Sequence, residues 1–154
     1  SRFLTLTKGT GVINRIFHGF GKFEGEMDGR KNGALISMSN GKAVAFAIFN
    51  LQARGEMFVT HNDPVYEGMI VGLAPKAGDM IINVMKGKQL TNMRTQGTDE
   101  NVVLTPVRQM SIAEQLSMLN TDEALEITPK SLRLRKAILN PTDRKKNEKS
   151  GTPL

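Results

Sequence analysis

The chain contains no cysteine and no tryptophan, a single tyrosine, two histidines and only 5% aromatic residues. Without cysteine there are no disulfides, no thiol nucleophile and no thiolate metal site, which fits a reducing cytoplasm. No stretch approaches eighteen consecutive apolar residues, and the N-terminus lacks a basic-then-apolar leader, so nothing in the sequence anchors it in a membrane. The phosphate-cradling pattern GxxxxGK followed by Ser or Thr is absent, which excludes nucleotide binding of that kind. GFGKFEG places glycines at 19, 21 and 25. A dinucleotide fingerprint needs the third glycine one residue earlier and a helix behind it, so this stretch reads as a linker.

Catalytic candidates are equally thin. His18 and His61 stand alone, with no partner at metal-ligand spacing, and read as packing or surface residues. Ser39 and Lys42 have the SxxK spacing of a serine acylase. That chemistry requires the serine at a helix start, whereas Ser39-Asn40-Gly41-Lys42 reads as a turn. Glu24, Glu26 and Asp28 alternate along a polar connector and read as a solvated surface.

What the chain does have is 39% apolar residues, nine methionines and a formal net charge of +6 over 154 residues. That length makes one domain, or one domain and a piece of another. The charge is unevenly placed. Residues 1–108 hold thirteen bases and nine acids, residues 109–129 no base and four acids, and residues 130–149 eight bases and two acids. A concentrated basic end favours an acidic partner, most often a nucleic acid; a solvated tail is the plain alternative. Because the first residue is Ser1, the chain is expected to be a fragment of something longer.

The local patterns predict an α+β fold. SRFLTLTKGTG reads as a helix end closed by glycine, and VINRIF as one strand; the glycines at 19, 21 and 25 then mark a boundary near residue 24. A helix end and one strand cannot fold alone, so residues 1–24 are expected to be the last helix and strand of a truncated α/β domain. From residue 25, ALISM and AVAFAIF flank Asn40-Gly41 and predict a β-hairpin. Further strands are expected at MFVT (57–60), MIVGLA (69–74), MIINV (80–84) and VVLTPV (102–107). Together they make a mainly antiparallel sheet or small barrel.

Ser111 and Glu114 form a capping box that opens a short helix with Ile112, Leu116 and Leu119 as its apolar face. ALEI is a strand, and SLRLRKAIL either a strand, the preferred reading, or a helix with Leu134 and Ile138 one turn apart. Asn140-Pro141 is an N-cap and first helical residue, so DRKKNEK forms a short basic helix within an otherwise disordered basic tail, 144–154.

One stretch stands apart. GKQLTNMRTQG, within the excursion between MIINV and VVLTPV, has only Leu90 and Met93 as large apolar residues. Long loops of this kind in small domains are functional or disordered. Lys86, Lys88 and Arg94 are suited to neutralising phosphates, and Gln89, Thr91 and Asn92 to bonding sugar hydroxyls or base edges. With no aromatic in the loop, backbone and ribose contacts are expected over base stacking.

RFLTLTKGTGVINRIFHGFG, RKNGALIS, AFAIFNLQARGEMF, VYEGMIVG, KQLTNMRTQGTDE and ITPKSLRLRKAIL occur in this order. Together they resemble the C-terminal part of the TypA/BipA family of translational GTPases, relatives of elongation factor G. The resemblance runs to about Arg144, and LTNMR and TPKSLRLRK are its most specific strings. It departs from the family at Ala74-Pro75-Lys76, Val107 and Asn120-Thr121, and the loop is intact.

The resemblance implies that 1–24 closes an elongation-factor-G-like domain and that 25–143 is the family's C-terminal domain. It implies a non-catalytic, monomeric, cytoplasmic ribosome-binding module. Loop 84–101 would touch large-subunit rRNA and the acceptor end of A-site tRNA through Lys86, Lys88, Gln89, Thr91, Asn92 and Arg94. Arg133, Arg135 and Lys136 would add backbone contacts. No cofactor is expected in this chain, since GTP and magnesium would belong to a GTPase domain upstream. The alternatives are a small hydrolase using Ser39 and Lys42 or a histidine, and a protein-docking module with Met57, Phe58, Met69 and Met80 in an exposed patch.

Overall fold

The computed structural model describes residues 3, 7, 8, 10–23, 30–87 and 103–150. Its framework is an open four-stranded sheet in the order β3-β5-β1-β6. These strands are β1 (Ala34–Ser37), β3 (Glu56–Met57), β5 (Ile70–Leu73) and β6 (Met80–Ile82). β1 runs antiparallel to β5, with Ala34 opposite Leu73, and parallel to β6, with Leu35 opposite Met80. Two smaller antiparallel pairs flank it, β2 (Gly41–Lys42) with β4 (Pro64–Val65), and β7 (Glu123–Ile127) with β8 (Leu132–Lys136). The architecture is the expected α+β, and the sheets of the described residues form no closed barrel.

ALIS is buried along its whole length because both faces of the central strand are covered. Alternate side chains point to opposite faces. Leu35 therefore joins Ile48, Leu51, Met57, Val71, Ile82 and Val84 beneath helix α1 (Ala45–Gln52). Ala34 and Ile36 join Ile70 and Leu134 beneath the β7–β8 hairpin, with Phe58, Leu119 and Leu125 at the edge. Each fully buried large aliphatic in these two cores stabilises the fold by about 1.5–3 kcal/mol.

AVAFAIF is a helix and not the expected strand. Ala47, Ile48 and Leu51 are the buried residues, a helical spacing, and the alanines favour helix. Asn40-Gly41 thus makes no hairpin with β1. Asn40 Oδ1 accepts the Glu67 N–H at 2.8 Å, and Gly41 pairs with Val65 on β4, a strand the sequence did not announce. VVLTPV forms no strand over its described part, 103–107, where Pro106 has no N–H to offer a ladder. Val12–Phe17 is likewise no strand: Val12, Ile16 and Phe17 are exposed, and no described segment pairs with them.

Helix α2 (Ile112–Met118) starts at the expected capping box: Ser111 Oγ accepts the Glu114 N–H at 3.3 Å and Glu114 Oε2 accepts the Ser111 N–H at 2.9 Å. Of its expected apolar face, Leu119 alone packs against the core. Ile112 and Leu116 are exposed, and Gln115 is the buried residue. SLRLRKAIL is a strand over Leu132–Lys136, as preferred. Helix α3 (Pro141–Ser150) is capped by Asn140, whose Oδ1 accepts the Thr142 N–H at 2.8 Å. The short basic helix expected at DRKKNEK is therefore present, as part of Pro141–Ser150, and 151–154 lie outside the described residues.

Candidate nucleic-acid interface

The described residues on either side of the basic stretch, up to 87 and from 103, meet one core. Val84, fully buried, lies two residues beyond the end of β6, and its carbonyl accepts the Val44 N–H at 2.9 Å just ahead of α1. Met85 follows, its N–H donating to Asn83 Oδ1 at 2.9 Å and its sulfur lying where a Cβ on Gly41 would stand. A side chain at Gly41 would therefore displace the Met85 thioether. Lys86 comes next and is exposed. It is the first of the loop's expected phosphate contacts. Lys88, Gln89, Thr91, Asn92 and Arg94 lie outside the described residues.

On the return side, Leu104 packs against the same core as Val84. Gln52, at the end of α1, donates through Nε2 to the Thr105 carbonyl at 2.8 Å and accepts the Thr105 N–H on Oε1 at 3.1 Å. A side-chain amide here does what a neighbouring strand would do. Both roots of the loop are therefore seated on the α1 core, although no regular element carries the return.

The second expected group lies on β8. Arg133 and Arg135 point away from the core, as the two-residue period requires. Arg133 holds Glu126 at 3.2 Å, and Glu126 also accepts the Tyr66 hydroxyl at 2.7 Å. Arg135 donates to the carbonyls of Lys136 and Ala137 at 3.2 and 3.4 Å. Burial, the hydrogen bond to Glu126 and the carboxylate's charge push Tyr66 up to about 12, against the opposing pull of Arg135 and Arg133. Glu126 is held below the usual carboxylate range by the Tyr66 hydrogen bond, with Arg133 adding to it against the cost of burial.

Lys136 does not face outward with the arginines. It shares the inner side of β8 with Leu132 and Leu134 and is 1% exposed. Its Nζ reaches Asp79 at 2.5 Å, Asp122 at 2.7 Å and Glu123 at 3.1 Å, while Arg30 clamps Glu123 at 2.7 Å. Burial opposes the Lys136 charge, but the hydrogen bonds it donates to Asp122 and Asp79 and the surrounding carboxylates raise its pKa above the ordinary value. All three ammonium donors have a carboxylate, so in this arrangement none remains for a phosphate. The geometry keeps Arg133 and Arg135 as outward cations and gives Lys136 a different task, bolting the hairpin to β1 and β6. Sequence reasoning missed that bolt and the Gln52 clamp. The first had a signal, since Lys136 shares the parity of Leu132 and Leu134. The second joins residues 53 apart and had none.

Ser39 sits in the turn after β1 and not at a helix start, and His18 and His61 are exposed. No cluster of His, Asp and Glu suited to a metal occurs among the described residues. Met57 and Met69 are core residues, so the expected Met/Phe surface patch does not exist. Phe58 and Met69 instead line a groove of about 770 Å³ running between β8 and the segments 58–60 and 107–115. No helix among the described residues is long and apolar enough to cross a membrane.

Residues 32–141 match the family described as the TypA/BipA C-terminal domain. A curated relative, the "Large ribosomal subunit assembly factor BipA" of Buchnera aphidicola subsp. Schizaphis graminum, is 46% identical over 155 residues, covering 100% of this chain and 26% of that protein. The proteins of the same name from Salmonella typhimurium LT2 and Escherichia coli K12 are each 46% identical over 147 residues, covering 95% of this chain and 24% of theirs. The chain thus spans about a quarter of the length of the curated relatives it matches.

Proposed function

The chain belongs to the TypA/BipA C-terminal domain family, and on that premise we propose that it is the ribosome-binding module of a large-subunit assembly factor and translational GTPase. Its loop 84–101 contacts large-subunit rRNA and the acceptor end of A-site tRNA, through Lys86, Lys88, Gln89, Thr91, Asn92 and Arg94. Arg133 and Arg135 add phosphate contacts from β8. The module itself is non-catalytic, monomeric and cytoplasmic; GTP and magnesium are bound by a GTPase domain of the parent protein.

The observation that carries this reading is the seating of both loop roots on one core, Val84 and Met85 on one side and Leu104 and Thr105 on the other. A rigid base under a basic, polar loop lets the loop reach a fixed RNA surface without ordering the rest of the domain on contact. Phosphate contacts also explain the net charge of +6.

Hydroxyl-radical footprinting of ribosomes carrying A-site tRNA tests the assignment. The chain is expected to protect large-subunit rRNA and the tRNA acceptor end, with the protection lost in Lys88→Ala and Arg94→Ala variants. Protection that both variants leave unchanged would remove the loop from the interface.

A further inference from the structure

β8 touches the central sheet at one place and then leaves it. Met69 and Arg135 form a single antiparallel bridge, and beside it the Lys136 N–H donates to the Gly68 carbonyl at 2.9 Å. Toward its N-terminal end β8 diverges from β5, and the groove of about 770 Å³ opens between Leu132–Leu134 and the wall formed by Phe58–Thr60 and Ile70.

The pairing with β7 decides which backbone groups face that opening. The Thr128 N–H donates to the Ser131 carbonyl at 3.0 Å and the Ala137 N–H to the Asp122 carbonyl at 2.9 Å. In an antiparallel ladder hydrogen-bonded pairs alternate, so Ser131, Arg133, Arg135 and Ala137 direct their backbone groups to β7. The N–H and C=O of Leu132 and the N–H of Leu134 therefore point to the opposite edge. Among the described residues, no strand pairing continues along that edge beyond the Met69–Arg135 bridge.

The groove has the walls and charge to match. Phe58, Met110, Ile112 and Leu132 give it an apolar face, and Ile112 is 48% exposed on it. Arg108, Lys130 and Arg133 line it against one acid, Asp63. Arg108 and Arg133 each hold one carboxylate, whereas Lys130 has no ion-pair partner among the described residues. Gln115 stands in the wall, 7% exposed, with Nε2 donating to the Met110 carbonyl at 3.3 Å and Oε1 without any partner.

We propose that this groove takes an extended segment of a partner protein. The segment adds as a strand to the free edge of β8 and sets aliphatic side chains against Phe58, Met110 and Ile112. It brings a carboxylate to Lys130 and gives Gln115 Oε1 the donor it lacks. A strand edge is recognised by a peptide backbone. Phe58, half-buried, is the one aromatic residue among those lining the groove, so the groove offers no aromatic platform on which successive nucleotide bases would stack. This surface is separate from the basic loop, and its role stands independently of the loop's.

Selection of a phage-displayed library of random peptides on the whole chain, followed by fluorescence polarisation with the enriched peptide, tests the proposal. Enriched sequences are expected to alternate aliphatic residues and to carry an acid. Leu132→Pro, which removes one edge N–H, and the exposed-site variant Lys130→Glu should each weaken binding about tenfold with the melting temperature checked alongside. Lys88→Ala should leave it unchanged. Failure to enrich such peptides overturns the proposal, as does equal binding by the folded Lys130→Glu variant. So does an oligouridylate that shields the Leu132 and Leu134 amides from exchange where peptides do not.

Discussion

Gln52 and Thr105 lie 53 residues apart and exchange two hydrogen bonds, Nε2 to carbonyl at 2.8 Å and backbone N–H to Oε1 at 3.1 Å. The pair fixes the point where the chain returns from the basic loop onto α1, in a segment with no strand of its own. Gln52→Ala removes both bonds from a solvent-facing site and is expected to cost about 1 kcal/mol. Faster exchange of the Thr105 amide and weaker ribosome binding should accompany it. An unchanged exchange rate at Thr105 would show that the clamp does not hold the loop root.

Lys136→Met keeps the length of the side chain and deletes the charge that three carboxylates surround. Glu123 retains Arg30, and Asp79 and Asp122, with side chains 35% and 45% exposed, regain water. The loss should therefore fall near the low end for breaking a buried pair, about 3 kcal/mol, read as a lower urea midpoint. RNA affinity of the folded variant should be preserved. A variant as stable as the parent chain but weaker on RNA would return Lys136 to the contact surface.

Acid should act through three carboxylates with depressed pKa values, Glu126 together with Asp79 and Glu114. Burial opposes ionisation of Asp79, but hydrogen bonds from Lys136 and the Ala34 N–H and the nearby charges hold its pKa below the ordinary 3.8. Glu114 is brought down from 4.5 to about 2 by the Ser111 N–H, then Arg108 and the Ser111 hydroxyl. A depressed folded pKa contributes stability that is present above the unfolded value and lost as pH falls through the folded one. Urea midpoints should accordingly be flat above about pH 5 and decline from about 4.5 toward 2. Glu114→Gln should make that decline shallower, and an unaltered slope would refute its share.

Tyr66 is the only tyrosine of a chain without tryptophan, so phenolate absorbance reports it alone. In the folded protein its midpoint should lie near 12, and in urea near the ordinary 10.0. Because the folded value is raised, the associated stability is complete below 10 and is lost as pH climbs toward 12. Glu126→Gln should lower the folded midpoint by removing the carboxylate that accepts its hydrogen bond. A midpoint near 10 in the folded chain would mean that the Tyr66–Glu126 bond does not form in solution.

The parts of this fold legible in the sequence were those set by local chemistry. Ser111 and Glu114 cap α2 through bonds three residues apart, and Asn140-Pro141 starts α3 for the same reason. Leu132 and Leu134 alternate with arginines and form the expected strand. AVAFAIF was misread because a short apolar run fits a buried strand or a buried helix, and Asn40-Gly41 beside it favoured a hairpin. β4 owes its existence to a distant partner and has no signal of its own. Of the site, the loop is an expectation from composition, and residues 88–102 lie outside the described ones. Lys136 was misjudged by counting charges without following the parity of β8. Gln115 and the free edge of β8 depend on how layers meet, which no local pattern encodes.

The most direct test of the central claim is co-sedimentation with 70S ribosomes at 50 and 200 mM salt, comparing the chain with a variant in which Lys86, Lys88 and Arg94 are all alanine. If about five phosphates are engaged, binding by the parent chain should fall roughly 100-fold between the two salts. The triple variant should bind weakly at both while keeping the parent's melting temperature. Salt-sensitive binding that the variant retains in full would contradict the account and place the contact away from the loop.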